Sequence, residues 1–508
     1  MDGVNEKSTL LAKSDYQLSE HSGEFENETA VLGLTAADDD EVHTHINIRK
    51  ITADDVLNFV GFGPFQVVAF FLAGLTYFSF GIDASIFIYI GDNVRAHWNI
   101  STTVYSTLPA STGVPNVLGA FLFSYLTDRF GRVWPYAICL MWIGLFSMAS
   151  AFANSFPLLI GLRCGASLGI GAISGLTFPT LIEFLPVQNR GKASVLTGLI
   201  GIIGLCVSCG LAWWLIPNYR DAGWRYFIVV AGGPSLLVGF FRLIFYVESP
   251  RYLIARGKMD KAWNVFRIIA KFNRKDINRF SSEENFCNHF SLNESCEHTK
   301  SVKNRFILLQ LLEIFRPRYL RRTIPLSFMI ATESFGYMTS QLFLIDFLKR
   351  VGANPYFSVL ALSLAQIPGF LLVSIIVEWP RVGRLNAFRF FSTLSAIFFL
   401  LLAFIQNTVS IPIFLVLIYF SAAPNLGLIY TYASEAYPTT IRAISTSYFY
   451  VLQALSYVFG VFISGYVEDL PQTWLYPLVY ACVFFVQLLA GLVLNHETYG
   501  KRLQDTLN

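Results

Sequence analysis

The sequence predicts an all-α membrane protein with twelve transmembrane helices arranged as two six-helix halves. Three observations carry that expectation. Of 508 residues, 54% are hydrophobic and only 14% charged, where a soluble domain carries about 25% charged residues. Apolar runs of about 20 residues, each enough to cross a bilayer as a helix, recur along the chain. Two motifs also repeat at one constant offset. Arg129-Phe130-Gly131-Arg132 is echoed by Arg381-Val382-Gly383-Arg384, and Glu183-Phe184-Leu185-Pro186 with Arg190 by Glu435-Ala436-Tyr437-Pro438 with Arg442, each 252 residues later. The shared offset reads as a tandem duplication, with both copies in membrane.

In chain order, residues 1–66 are polar and acidic, with Asp38-Asp39-Asp40-Glu41 and few large apolar side chains. Such a composition is expected to be largely disordered. No apolar segment opens the chain, so no cleavable signal peptide is expected. Glu6 stands four residues before Leu10-Leu11, a pattern that adaptor proteins read on membrane cargo; two ordinary exposed leucines are the equal alternative. Order increases from Asp54 to Gln66, where Gly61-Phe62-Gly63-Pro64-Phe65-Gln66 leads into the membrane.

Spans are expected near 67–90, 104–126, 134–153, 157–182, 192–216 and 224–246, then 322–346, 355–377, 386–405, 409–434, 443–466 and 474–494. The first six make an N-terminal half over 67–246, and the second six a C-terminal half over 322–494. A central loop, 247–321, lies between them, and a short tail, 495–508, follows. Runs this long and evenly apolar lack the alternation of a barrel, and backbone in lipid must satisfy its own hydrogen bonds.

Loop charges set the orientation. One set of loops holds Arg129, Arg132, Arg190, Lys192, Arg381, Arg384, Arg389, Arg442 and the basic stretch 251–322, while the other holds Arg95, Arg220, Lys349 and Arg350. The positive-inside rule then puts both termini and the central loop in the cytoplasm. The glycosylation string Asn99-Ile100-Ser101 falls on the far side but too near the second helix to be expected to carry a glycan. Helical periodicity over Lys261–Ile269 predicts an amphipathic bundle under the membrane core, touching lipid headgroups. No nucleic-acid partner is expected, because the orientation bias already explains these cations. The seven cysteines suggest no disulfide framework; Cys206 and Cys209 have redox spacing but sit in an apolar run, where small-residue packing is the better account.

Charges inside the spans are the sharper clue, since each is costly unless paired or hydrated. Asp83, Arg163 and Glu333 qualify. Asp83 and Arg163 both lie about 10 Å below the outer surface at the helical rise, so they can pair, either to staple two helices or to serve a cavity. Glu333 lies nearer mid-membrane with Tyr337 one turn on and no evident cation. It is expected to exchange a proton during function, and Asn425 joins these as a substrate or coupling candidate. Arg242 is expected to snorkel. At the cytoplasmic ends Asp128, Arg129, Gly131, Arg132, Glu183 and Arg190, with Arg381, Arg384, Glu435 and Arg442 in the second copy, are expected to form a gating latch. Anchoring of helix ends to headgroups is the weaker alternative.

These residues resemble the major facilitator superfamily. Thr127-Asp128-Arg129-Phe130-Gly131-Arg132 looks like its signature turn between helices 2 and 3. Glu183 with Pro186 and Arg190-Gly191, Glu248-Ser249-Pro250-Arg251 and Glu497-Thr498-Tyr499-Gly500-Lys501 are similar to its sugar-porter and organic-ion branches. Ala53-Asp54-Asp55, Gly61–Gln66 and Trp224-Arg225 further resemble the synaptic vesicle glycoprotein two family, chiefly its related-protein branch. Two departures stand out: Pro380 occupies the place of Asp128 in the second copy, and Phe80 a place where relatives carry an acid.

The resemblance implies the major facilitator fold and a secondary active or facilitative transporter of small organic solutes, organic ion or sugar-like, working by alternating access around a mid-membrane site. The surplus of acids over bases in the cavity tilts this towards cationic substrates or H+ coupling. The sequence has no phosphate-binding glycine loop with its lysine, so neither ATP, a cofactor, a metal nor enzymatic activity is expected. The other class of answer is a non-transporting vesicle-membrane protein of the same fold that acts through partners or trafficking. The retained intramembrane charges favour transport. An intracellular vesicle, a lysosome-like membrane and the plasma membrane all fit the reading.

Overall fold

The computed structural model describes residues 53–186, 190–219, 222–244, 247–277, 313–352, 354–376, 382–437 and 439–494. The described residues are almost wholly helical and contain no strand. The N-terminal half comprises α1 (Pro64–Ala84), α2 (Gly113–Phe130), α3 (Val133–Ser150), α4 (Phe156–Ile182), α5 (Arg190–Asn218) and α6 (Gly223–Ile244). The C-terminal half comprises α7 (Pro317–Glu333), α8 (Pro355–Ile376), α9 (Gly383–Phe404), α10 (Ser410–Ala436), α11 (Thr439–Asp469) and α12 (Leu475–Val493). The architecture is thus twelve helices in two six-helix halves.

Local chemistry explains the boundaries. Proline, whose fixed φ suits the first turn, opens α1 at Pro64, α7 at Pro317 and α8 at Pro355. Gln66 folds back to accept the Gly63 N–H at 3.1 Å. The first and seventh helices are interrupted. α1 stops at Ala84 and resumes as Ile86–Trp98, while α7 passes into a π turn, Ser334–Met338, and resumes as Leu344–Arg350. The seventh helix also starts five residues earlier than the composition suggests, so Arg318, Arg321 and Arg322 ride on its first turns. Ten helices among the described residues are long and apolar enough to cross a membrane. α2 misses that measure because Asp128-Arg129 and its polar residues lower its hydropathy, and α7 because it has 17 residues before the π turn.

The two halves pack alike. α3 lies on α6, α1 on α5 and α2 on α4; correspondingly α9 lies on α12, α7 on α11 and α8 on α10. Contact between α2 and α4 is so close that a Cβ at Gly119 would fall 1.6 Å from the Leu168 carbonyl oxygen. The halves meet through α5 with α8 and α2 with α11. Large apolar side chains such as Leu145, Phe240 and Phe404 point outward, as a lipid-facing surface requires. Arg242 does not snorkel: its guanidinium turns over the Tyr136 ring, 3.8 Å from the centroid, where the ring's negative face receives it.

Ala53–Val60 and Met259–Phe272 pack together at one end, burying Val56, Leu57, Trp263 and Phe266. These helices mark the central-segment end of the molecule; the far end lies opposite. At the far end one buried cluster spans both halves, joining Ile86, Tyr105 and Phe227 to Phe343, Phe347 and Tyr476. At the central-segment end each half keeps its own core. Phe123, Tyr136 and Ile173 belong to one core, and Leu326, Phe391 and Ile429 to the other.

Candidate functional site

Asp83 and Arg163 meet as the sequence suggested. Arg163 Nη1 and Nη2 reach Asp83 Oδ1 and Oδ2 at 3.2 and 3.0 Å, a two-pronged fork. Both side chains are fully buried. Ser147 of α3 completes the group, donating to Asp83 Oδ1 and accepting from Arg163 Nη1 at 2.8 Å. The guanidinium also lies 4.9 Å from the centre of the Phe87 ring. One group therefore ties α1, α3 and α4 together. Ser147 gave no signal in the sequence, because a lone serine in a membrane helix is commonplace.

The other three candidates do not share that place. Glu333 is fully buried and accepts from the Gln487 amide of α12. Tyr337 faces another way, donating to Gln366 Oε1 of α8 at 2.8 Å and lying 6.0 Å from the Tyr419 ring of α10. The π turn separates their directions. Asn425 of α10 donates to Ser392 Oγ of α9 at 3.4 Å.

Polar and aromatic side chains also meet where the two halves approach each other. Tyr450 of α11 donates to Asn116 Oδ1 of α2 at 3.0 Å and to the Gly171 carbonyl of α4 at 3.3 Å. Tyr430 donates to Gln453 Oε1, and Tyr77 stacks obliquely on Phe178 at 5.0 Å. Phenols and amides therefore gather where α11 approaches α2 and α4. Sequence reasoning missed them because tyrosine and asparagine are unremarkable until a seam runs past them.

Ion pairs bridge the halves at the far end. Arg95 reaches Asp346 Oδ1 at 2.7 Å and also pairs with Asp92, which pairs with Lys349. Alongside, the Thr103 N–H donates to Asp469 Oδ2 at 3.0 Å. The cations Arg95 and Lys349 were visible in the sequence; their acidic partners, Asp92 and Asp346, were not.

At the central-segment end the described bonds stay within one half. Gly131 has φ 103°, a left-handed conformation that favours glycine, and a Cβ there would lie 2.2 Å from Glu248 Oε2. Glu248 Oε1 accepts the Arg132 N–H at 2.8 Å and the Ser249 N–H at 2.9 Å. Arg132 Nε stands 3.4 Å from Glu183 Oε1. Burial pushes the Glu183 carboxyl above its usual range, against the pull of Arg132. Arg129 instead donates to Tyr125 at 2.9 Å. Arg384 lines a small cleft with Met329 and Tyr432. Arg381, Glu6, Leu10 and Leu11 lie outside the described residues, as do the side chains of Asp128, Arg190, Glu435 and Arg442.

Two pseudo-equivalent helical halves, joined at one end and separate at the other, define a polytopic membrane protein of the carrier type. The chain belongs to the Major Facilitator Superfamily, whose profile matches residues 69–461. It is 26% identical to Organic cation/carnitine transporter 7 of Arabidopsis thaliana over 90% of this chain and 97% of that one. It is 23% identical to the Synaptic vesicle 2-related protein of Xenopus laevis, over 89% and 82% of the two chains. The xylose transporter XylE of E. coli, in a partially occluded inward open conformation, shares the fold with a TM-score of 0.66 at 17% identity, covering 86% of this chain and 99% of its own. The protein is accordingly a membrane transporter by family.

Proposed function

We propose that the protein moves small organic solutes by alternating access, with both termini and the central segment in the cytoplasm. One observation carries the reading: a single core and ion bridges join the halves at the far end, while separate cores divide them at the central-segment end. A solute bound at the seam would then communicate with the central-segment side. Rocking the halves would break the Arg95–Asp346 bridge and bring the latch set of Asp128, Arg129, Arg132, Glu183 and Arg190 towards Arg381, Arg384, Glu435 and Arg442. The basic loops support the cytoplasmic assignment.

The solute is an organic cation or zwitterion in this reading. Ring faces at Tyr77, Phe178 and Tyr450 suit a positively charged group, and the amides of Asn116 and Gln453 suit a polar remainder. The name of the Arabidopsis relative points to the same class. H+ is the coupling partner in this reading, in keeping with Asp83 and Glu333 outnumbering Arg163 among the charges buried in the spans.

Purified protein in proteoliposomes tests this with a panel of labelled quaternary ammonium solutes, carnitine and hexoses, with and without an inward acid gradient. Uptake above that of protein-free vesicles, with accumulation only when the acid gradient is present, is the expected outcome. No uptake of any panel member under either condition would sink the transport reading.

A further inference from the structure

We propose that the core of the C-terminal half holds a dehydrated monovalent metal cation, sodium in the first instance, between α7, α9, α10 and α12. The observation is a surplus of buried oxygen acceptors. Gln487 gives its amide nitrogen to Glu333 Oε2, and because a carboxylate only accepts, the Gln487 carbonyl is turned away. Among the described residues, neither Gln487 Oε1 nor Glu333 Oε1 then meets a donor. Asn425 Oδ1 is a third such atom, its own amide nitrogen being spent on Ser392.

Helix register puts the three in one layer. α9 and α12 run antiparallel, with Phe399 stacked on Phe484 at 5.4 Å on one side of the layer. On the other side Gly491 meets Phe388 so closely that a Cβ would stand 2.8 Å from the ring. Between those contacts, on the same two faces, stand Gln487 of α12 and Ser392 and Ser395 of α9. Asn425 and Ser421, one turn apart on α10, reach the same serines, Ser421 at 2.8 Å from Ser395. All six side chains are fully buried.

One carboxylate, two amide carbonyls and nearby hydroxyls form a hard, all-oxygen donor set. A single negative charge balances a monovalent ion and would leave a divalent one uncompensated in a low-dielectric core. A proton on Glu333 Oε1 would turn that atom into a donor to one amide carbonyl but would leave the other without a partner. The π turn starting directly after Glu333 is the kind of irregularity that gathers at functional sites and lets broken membrane helices hold ions. The proposal goes beyond the transport reading, since it requires neither a substrate nor movement of the ion.

Thermal unfolding of the purified full-length protein in detergent tests it, with no transported solute present. The midpoint is compared in sodium, potassium and choline chloride at equal ionic strength, at pH 6 and pH 7.5. A saturable rise of about 2 °C or more in sodium over choline is expected, and Glu333→Gln and Asn425→Ala should each abolish it. Asn425→Ala keeps the test alive if Glu333→Gln fails to fold. Equal midpoints in sodium and choline, a rise with acid alone, or a sodium shift that survives Asn425→Ala would each overturn the proposal. Any of these failures would leave solute uptake untouched, so the two readings fail separately.

Discussion

The two halves fold alike but fill their interiors with opposite chemistry. At the duplication offset of 252 residues, Asp83, Ser147 and Arg163 correspond to Phe335, Phe399 and Leu415. In the N-terminal half an ionic fork joins α1, α3 and α4. In the C-terminal half aromatic packing joins α9 and α12 to the π turn instead: Phe399 stacks on Phe484 and lies 5.5 Å from Tyr480, which Phe335 approaches at 6.2 Å. The exchange also runs the other way, since Glu333 and Gln487 correspond to Gly81 and Ser235. A Cβ at Gly81 would stand 2.2 Å from the Gly201 carbonyl oxygen, so no carboxylate fits there. Helix packing in a bilayer constrains volume and close approach more than polarity. A duplicated frame can therefore keep its geometry while each copy acquires its own buried charges. Such charges are expensive to keep, which is why the fork and the Glu333 layer are the places to look for function.

The largest effect expected on this contrast comes from Asp83→Ala, which strands the Arg163 cation in the N-terminal core. A loss of about 3–5 kcal/mol is expected for one broken partner of a buried pair, read as a lower unfolding midpoint and yield in detergent. Adding Arg163→Met should recover more than half of it, because no charge is then left alone. Equal losses in the single and double variants would mean that the fork is no more than packing. A smaller effect is expected from Phe399→Leu, which keeps most of the volume and loses about 0.5–1.5 kcal/mol of aromatic pairing, and it should be indifferent to pH and salt. A salt-sensitive loss there would erase the distinction between the halves. The smallest is expected from Arg95→Gln, which removes a partly exposed bridge between the halves worth about 1 kcal/mol. Modification of an Asn116→Cys variant by a charged thiol reagent should speed up from the far side. High ionic strength should mimic part of that change, and an unaltered rate would mean that the bridge does not help hold the far end shut.

Much of the candidate site was legible one residue at a time and not as an arrangement. That Asp83 and Arg163 could pair followed from equal depth along two helices, a consequence of a fixed rise per residue. The separate surroundings of Glu333, Tyr337 and Asn425 did not follow, because the π turn at Ser334–Met338 rotates Tyr337 towards α8 while Glu333 stays on α12. Glu248 was seen only as part of a motif. Its grip on the Gly131 turn needs the exit of α6 brought against the loop between α2 and α3, a contact across 116 residues of sequence.

The sequence alone determined the helices, their grouping into two halves and the positions of the buried charges. Run length, hydropathy and a repeated offset are local or periodic properties, and lipid leaves a long apolar segment almost no alternative to a helix. Only the tertiary structure decided which partner each charge took, which end of the molecule was joined and which acceptors were left without donors. Those outcomes depend on helix rotation and on contacts between residues far apart in the chain, and a change of one helix face redirects a side chain without altering hydropathy at all.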